Sequence, residues 1–95
     1  MNSEQFLQSV GELIKKHRTQ TMDQEEFAKR LGCGVNTVYR MENGQGVNAM
    51  TLVSALELLG LLGEFTSVVD EQLAQVADAP ERKRRKPVED FSNDF

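Results

Sequence analysis

The stretch EEFAKRLGCGVNTVYRMENG, residues 25–44, constrains the fold more than any other part of this 95-residue chain. A helical apolar pattern stops at Gly-Cys-Gly and resumes at once as a second helical pattern. Gly32 can adopt the positive φ that ends a helix, so the second helix leaves at a sharp angle to the first. The stretch therefore predicts a helix-turn-helix, from about residue 23 to residue 42.

The second helix of this unit has one face for the core and another for the surroundings. Val38 and Met41, three residues apart, are its inward side chains. The remaining side chains, on the other side or the flanks, are Asn36, Thr37, Tyr39 and Arg40. The DNA major groove admits one α-helix, and there Arg pairs with guanine and Asn with adenine. We therefore expect this helix to contact base pairs.

Apolar residues at helical spacing predict three more helices and no strand, which makes the fold all-α. A first helix runs from about residue 3 to residue 18, with Ser3 as a candidate N-cap. Its apolar stripe is Phe6, Val10, Leu13, Ile14 and His17. A fourth helix begins at the N-cap Asn48, and a fifth spans about 63–77. We expect these helices to form one domain, residues 1–79.

The fifth helix carries an apolar stripe that is larger than a four-helix core needs. It consists of Phe65, Val69, Leu73 and Val76, spaced by four, four and three residues. The stripe either closes the core or forms a homodimer interface, and we expect the interface. Acidic residues beside it suit a contact away from DNA, because acids are repelled by phosphates.

Residues 80–95 contain few large apolar side chains, so we expect a disordered charged tail. The tail has a basic run, Arg82–Lys86, and an acidic-aromatic end, Glu89–Phe95. Three interpretations remain open. The tail is a solvated segment that neutralises itself, a basic arm on DNA phosphates, or a docking peptide for a partner protein.

The net charge of −4 offers little support for a nucleic-acid partner, but the distribution of charge permits one. Every basic residue before the tail lies between Lys15 and Arg40, whereas residues 61–80 hold four acids and no Lys or Arg. One end of the domain is therefore mixed or basic, and the other is acidic.

Several classes of protein are disfavoured by what the sequence lacks. A single His and a single cysteine, Cys33, argue against a disulfide, a metal site or a cofactor. The chain shows no nucleophile–base pairing and no phosphate-binding glycine loop, so we do not expect an enzyme. It has no apolar run of membrane-spanning length and no signal-peptide pattern, so we expect a cytoplasmic protein without a membrane partner.

Three segments, DQEEFAKRLG, VNTVYRMENG and MTLVSALELLG, carry a resemblance to a known family. They resemble the phage lambda-repressor and Cro superfamily, the xenobiotic-response-element type of helix-turn-helix, over about residues 10–62. Phe27 stands where the family usually has Leu. The resemblance implies a five-helix, lambda-repressor-like DNA-binding domain.

The resemblance also implies roles for the helix after the glycine turn. Val35, Asn36 and Arg40 fall where the family reads bases, and Val35 offers only van der Waals contact, for example to a thymine methyl. Thr37 and Tyr39 fall where the family touches phosphates or sugars. Sequence preference at the Val35 position is therefore expected to be modest.

The resemblance also implies roles for residues that flank this helix in the sequence. Gln24 would contact a phosphate or brace a base-reading side chain, and Asn43 would offer its main-chain amide to a phosphate. Glu42 matches a structural acid that pairs with an arginine late in the first helix, and Arg18 is the candidate partner. The loop before the second helix is one residue shorter than usual, so an alignment without gaps puts His17 at that position instead.

These features predict a sequence-specific, DNA-binding transcriptional regulator that represses by binding a palindromic operator in double-stranded DNA as a homodimer. The chain is also similar to antitoxins of the HipB type, which pair with a HipA kinase toxin. The alternative function is therefore an antitoxin or adaptor whose main role is binding a partner protein, for example through the C-terminal tail.

Overall fold

A computed structural model describes residues 1–78 and Pro80, and within them it contains five α-helices. They are α1 (Ser3–Arg18), α2 (Gln24–Leu31), α3 (Val35–Glu42), α4 (Ala49–Leu58) and α5 (Leu62–Ala77). No strand occurs among the described residues, so the predicted five-helix, all-α fold is confirmed for them. Apart from Pro80, the predicted tail lies outside the described residues.

Short-range hydrogen bonds at the helix starts explain where α1 and α2 begin. The N-cap of α1 is Asn2 rather than the expected Ser3: its side chain accepts from the Gln5 N–H at 2.8 Å, and the Gln5 side chain accepts from the Asn2 N–H at 2.9 Å. This reciprocal pair is a complete capping box. Asp23 caps α2 by accepting from the Glu26 N–H at 2.8 Å.

The turn between α2 and α3 depends on Gly32, whose φ of 74° is left-handed. Only glycine adopts this conformation without strain, so the backbone can end α2 and change direction at once. The Cys33 N–H closes the turn by donating to the Ala28 carbonyl at 3.0 Å. Gly34 then serves as the N-cap of α3.

The core lies between α1, α2, α3 and α4. Its buried apolar side chains are Val10, Ile14, Phe27, Ala28, Val38, Met41, Ala55 and Leu56. Phe27 is fully buried, so the core has room for the ring at a position where the family usually has Leu. From α5 only half-buried side chains, Leu62 and Phe65, pack against this cluster. The fifth helix therefore packs on the outside of a four-helix core and contributes no buried side chain to it.

The buried face of α1 differs from the predicted stripe. Phe6 is 48% exposed, and His17 is only half-buried. The buried residues are instead Val10, Gly11, Ile14 and Arg18. The apolar pattern was misleading here because a glycine and a charged residue occupy two of the inward positions.

Gly11 and Gly44 hold α1 against the end of α3 by direct backbone contact. A Cβ atom on Gly11 would overlap the carbonyl oxygen of Met41 and lie 2.9 Å from that of Glu42. Gly44 has a φ of 77°, and a Cβ there would lie 2.7 Å from the Cα of Gln8. These two glycines therefore fix the position of α3 relative to α1.

The fifth helix leaves α4 at an angle of 117° and has no buried residue along its 16 positions. Among the described residues, no single helix has the length and hydropathy of a membrane span. Only α4 and α5 taken together as a bent pair meet those criteria, by length and composition alone.

Candidate nucleic-acid interface

The outward face of α3 is accessible over its whole length. Its side chains are Val35, Asn36, Thr37, Tyr39 and Arg40, of which Thr37 is half-buried and the others are exposed. None of these side chains has a hydrogen-bond partner among residues 1–78 and 80. The opposite side of the same helix carries the buried Val38 and Met41. The α3 face, meaning these five side chains, is therefore available for a ligand while α3 stays anchored.

A buried ion pair holds the C-terminal end of α3. The Nε atom of Arg18 donates to Oε2 of Glu42 at 2.6 Å, and Nη2 of Arg18 donates to Oε1 at 3.2 Å. The side chains of Arg18 and Glu42 are only 8% and 1% exposed. The Nη1 atom of Arg18 also donates to the Met22 carbonyl oxygen at 3.0 Å. The structure thus brings Arg18, and not His17, to Glu42.

Gln24 joins the same network from the first position of α2. Its Nε2 atom donates to Oε1 of Glu42 at 3.0 Å, so the Glu42 carboxylate accepts three hydrogen bonds from two helices. One amide hydrogen of Gln24 is therefore used inside the domain. The bond goes to the buried acid Glu42 and not to one of the side chains expected to read bases, so it corresponds to neither of the two implied roles.

Asn43 departs from its implied role. Its main-chain N–H donates to the carbonyl oxygens of Tyr39 and Arg40, at 3.1 and 3.2 Å. Its side-chain Nδ2 also donates to the Tyr39 carbonyl, at 2.8 Å. The main-chain amide closes the end of α3, so it is not free for a phosphate in this conformation. The residue is exposed beside the α3 face.

Few cations of the folded domain are free to contact phosphates. Residues 1–78 contain six Lys or Arg and eleven Asp or Glu, a net charge of −5. Three of the six cations form ion pairs: Arg18–Glu42, Lys16–Glu12 and Arg30–Glu26. Lys15, Lys29 and Arg40 have no carboxylate partner within the described part of the chain. Arg40 is the one cation on the α3 face.

The side chains expected at a dimer interface divide into two groups. Phe65 is half-buried against the domain's own core, so less of it is accessible to a second copy than of the other three side chains. Val69, Leu73 and Val76 are 55–61% exposed, and Val68 is exposed to the same degree. Helical periodicity placed Phe65 on the same side as the others, but the core reaches only the first turn of α5.

Sequence periodicity located the α3 face but missed the contacts that hold α3 in place. The two glycines at the α1–α3 contact, and the hydrogen bond from Gln24 to Glu42, have no signature in a hydrophobic pattern. The position of Gly11 inside a helical pattern is the one sequence signal that could have revealed this contact. Glycine weakens a helix, so a glycine in the middle of one suggests that packing requires it.

Two short helices at a tight glycine turn, with the second helix anchored inward and accessible outward, define the helix-turn-helix class of DNA-binding proteins. A profile of the helix-turn-helix family HTH_3 matches residues 14–63, more than half of the chain, and the chain belongs to this family. The family comprises DNA-binding regulators of transcription and is not an enzyme class. No curated protein and no solved structure shows significant similarity to the chain.

Proposed function

We propose that this protein is a sequence-specific repressor of transcription that binds a palindromic operator as a homodimer in the cytoplasm. The observation that carries the proposal is the accessible α3 face, on a helix whose other side is fixed in the core. A helix of this kind can enter the major groove without any rearrangement of the domain.

The α3 face offers the chemistry that base recognition needs. Arg40 pairs with guanine through two hydrogen bonds, Asn36 pairs with adenine, and Val35 contacts a thymine methyl group. Thr37 and Tyr39 lie beside them and contact phosphate or sugar. Because Val35 forms no hydrogen bond, most of the discrimination comes from Arg40 and Asn36.

The network around Glu42 supports recognition indirectly. Hydrogen bonds from α1 and α2 converge on this one carboxylate at the end of α3. They fix the helix orientation before DNA arrives, so that binding does not require ordering of α3. Gln24 supports Glu42 through one amide hydrogen, and its second amide hydrogen is available to a phosphate.

The homodimer forms through α5. Val69, Leu73 and Val76 continue the side of the helix that carries Leu62 and Phe65, past the edge of the core. Two copies of the domain related by a two-fold axis match the symmetry of a palindromic operator.

The test is selection of bound duplexes from a random-sequence library with the full chain. We expect a two-fold symmetric site whose half-sites are one helical turn apart, about 10 base pairs between centres. Recovery of duplexes with no common sequence would contradict the proposal. A single half-site without symmetry would contradict the homodimer, but it would still agree with base recognition by α3.

A second candidate function, an antitoxin or adaptor that binds a partner protein, is favoured by a groove outside α3 and α5 that is lined by polar and apolar side chains alike. A groove of about 470 Å³ lies between α2 and α4, lined by Arg30, Leu31, Ser54, Glu57 and Leu58. The neighbouring Met50 is 72% exposed on α4. Capture of one protein by the full chain, abolished by Leu58→Asp while operator binding persists, would support this function.

A further inference from the structure

The outer half of α5, Val68–Ala77, makes little contact with its own domain. Leu62 and Phe65, in the first turn, are the side chains of α5 that pack against the core. Beyond them every described residue of the helix is exposed, including Leu73. The packed first turn already nucleates the helix, so the outer half depends on propagation, which is close to neutral in water without tertiary packing.

The ends of α5 do not compensate for this lack of packing. The helix α1, also 16 residues long, has a complete capping box and four basic residues in its last turn. By contrast, the N-cap of α5 is Leu61, which forms no side-chain cap, and the last turn contains no basic residue. Its C-cap is Asp78, an anion at the helix end where the dipole disfavours negative charge.

The residues from Thr66 to Val69 also lower the intrinsic stability of α5 as a helix. The Thr66 hydroxyl donates to the Leu62 carbonyl at 2.9 Å, and the Ser67 hydroxyl donates to the Gly63 carbonyl at 3.1 Å. Such bonds to the preceding turn compete with the backbone hydrogen bonds of a helix. Adjacent β-branched residues, Val68 and Val69, lower the helix propensity further.

The arrangement of side chains on α5 suits a second copy of the chain as the partner. Val69, Leu73 and Val76 share one side of the helix, continuous with the core-facing side of the first turn. Acidic residues spaced by seven, Glu64, Glu71 and Asp78, follow the opposite side. Two α5 helices can therefore bring their stripes together while their acids remain in water.

We propose that the outer half of α5 is stably helical only when a second copy covers its apolar stripe, so that helix formation and dimer formation are one coupled step. The helical conformation of the outer half seen in the structure is the one that contacts the second copy in the dimer. The proposal rests on the homodimer of the proposed function. Ordering ten residues opposes association, so the dimer is weak and its population depends steeply on protein concentration.

The first test measures helix content and mass on the same samples. Circular dichroism at 222 nm and analytical ultracentrifugation are recorded across a dilution series of the full chain. Because the outer half holds ten of the 58 helical residues, we expect about one sixth of the helical signal to appear together with the dimer. A dimer that forms with a constant helical signal would overturn the coupling alone. A monomer at every concentration would overturn the homodimer as well.

The second test strengthens the helix at a site away from the apolar stripe. Asp78→Lys places a cation at the helix end, opposite the stripe, and we expect about two- to fivefold tighter dimerisation. Glu71→Lys is the matched control: it makes the same charge change on the same side, in mid-helix, where the dipole has little effect. If both variants shift the dimer constant equally, charge repulsion explains the shift and the coupling is wrong.

Discussion

Glu42 is the residue on which α1, α2 and α3 depend for their mutual orientation. Its carboxylate is buried and accepts hydrogen bonds from Arg18 and Gln24. We expect Glu42→Ala to lower the free energy of unfolding by about 3–5 kcal/mol, because it leaves the Arg18 charge buried without a partner. Urea unfolding followed by circular dichroism measures the change.

The control for this prediction is Glu12→Ala. Glu12 pairs with Lys16 at 3.4 Å, but both side chains are largely exposed, so the loss should stay below about 1 kcal/mol. Unchanged stability of Glu42→Ala together with weakened DNA binding would show that Glu42 belongs to the DNA interface instead.

Arg40 is the residue on the α3 face with the strongest expected preference for one base. On the selected operator, Arg40→Ala should cost about 1–3 kcal/mol of binding free energy and relax the preference at one base pair. Fluorescence anisotropy with labelled duplexes measures both effects. Arg30→Ala, which removes an exposed cation from α2, is the control and should leave base preference intact. Equal losses on the operator and on random DNA would make Arg40 a phosphate contact.

Gly11 is required by contact rather than by conformation. We expect Gly11→Ala to destabilise the domain by about 1–3 kcal/mol, because the new Cβ overlaps the Met41 carbonyl oxygen. This loss should occur although alanine favours a helix by about 1 kcal/mol over glycine. Gly63→Ala in α5 is the matched control: its Cβ meets nothing within 4 Å, and it should stabilise. Equal thermal shifts in the two variants would refute the close contact.

At the scale of helices, hydrophobic period and capping residues predicted where elements begin and which side of α3 turns inward. Val38 and Met41 follow the helical period, and Gly32 has the positive φ that the turn required. The period failed for Phe6, which is exposed, because it shows which side of a helix is apolar and not how far the core extends along it. The candidate site could be predicted as the outward face of α3, whereas the bond from Gln24 to Glu42 depends on tertiary structure.

The stripe on α5 provides a prediction about assembly. Leu73→Asp should yield a folded monomer with much weaker operator binding, because two half-sites are then bound independently. Ala74→Asp adds the same charge on the next residue, off the stripe, and should leave the dimer population close to that of the parent chain. Sedimentation and operator titration on both variants test this. A dimeric Leu73→Asp protein would place the interface elsewhere.

At the scale of the whole molecule, the distribution of charge separates the domain from its tail. The domain carries a net charge of −5, and the segment from Arg82 to Lys86 supplies five cations. Deleting residues 80–95 should leave the fold and the dimer intact, because every buried core residue lies between Val10 and Leu56. Thermal melting and sedimentation of the truncated chain test this, and a truncated monomer would contradict the α5 interface.

The same deletion separates the interpretations of the tail. If the basic run binds DNA, the dependence of log K on log salt should flatten by about one unit for each phosphate that the run neutralises. Replacing the five cations with Gln in the full-length chain isolates their charge from the rest of the tail. An unchanged slope, together with loss of a protein partner, would favour the docking-peptide interpretation.

The separation of α3 into an anchored side and an accessible side bears on how such a regulator can diverge. Val35, Asn36 and Arg40 are exposed, and their side chains form no hydrogen bond within the described chain, so their replacement should change stability by only about 0.5 kcal/mol. Under the proposed function, a duplicated copy of this domain would acquire a new operator through two or three substitutions, with no compensating change in the core. In this architecture, different residues would determine the DNA sequence that is bound and the stability of the fold, so that one could change without the other.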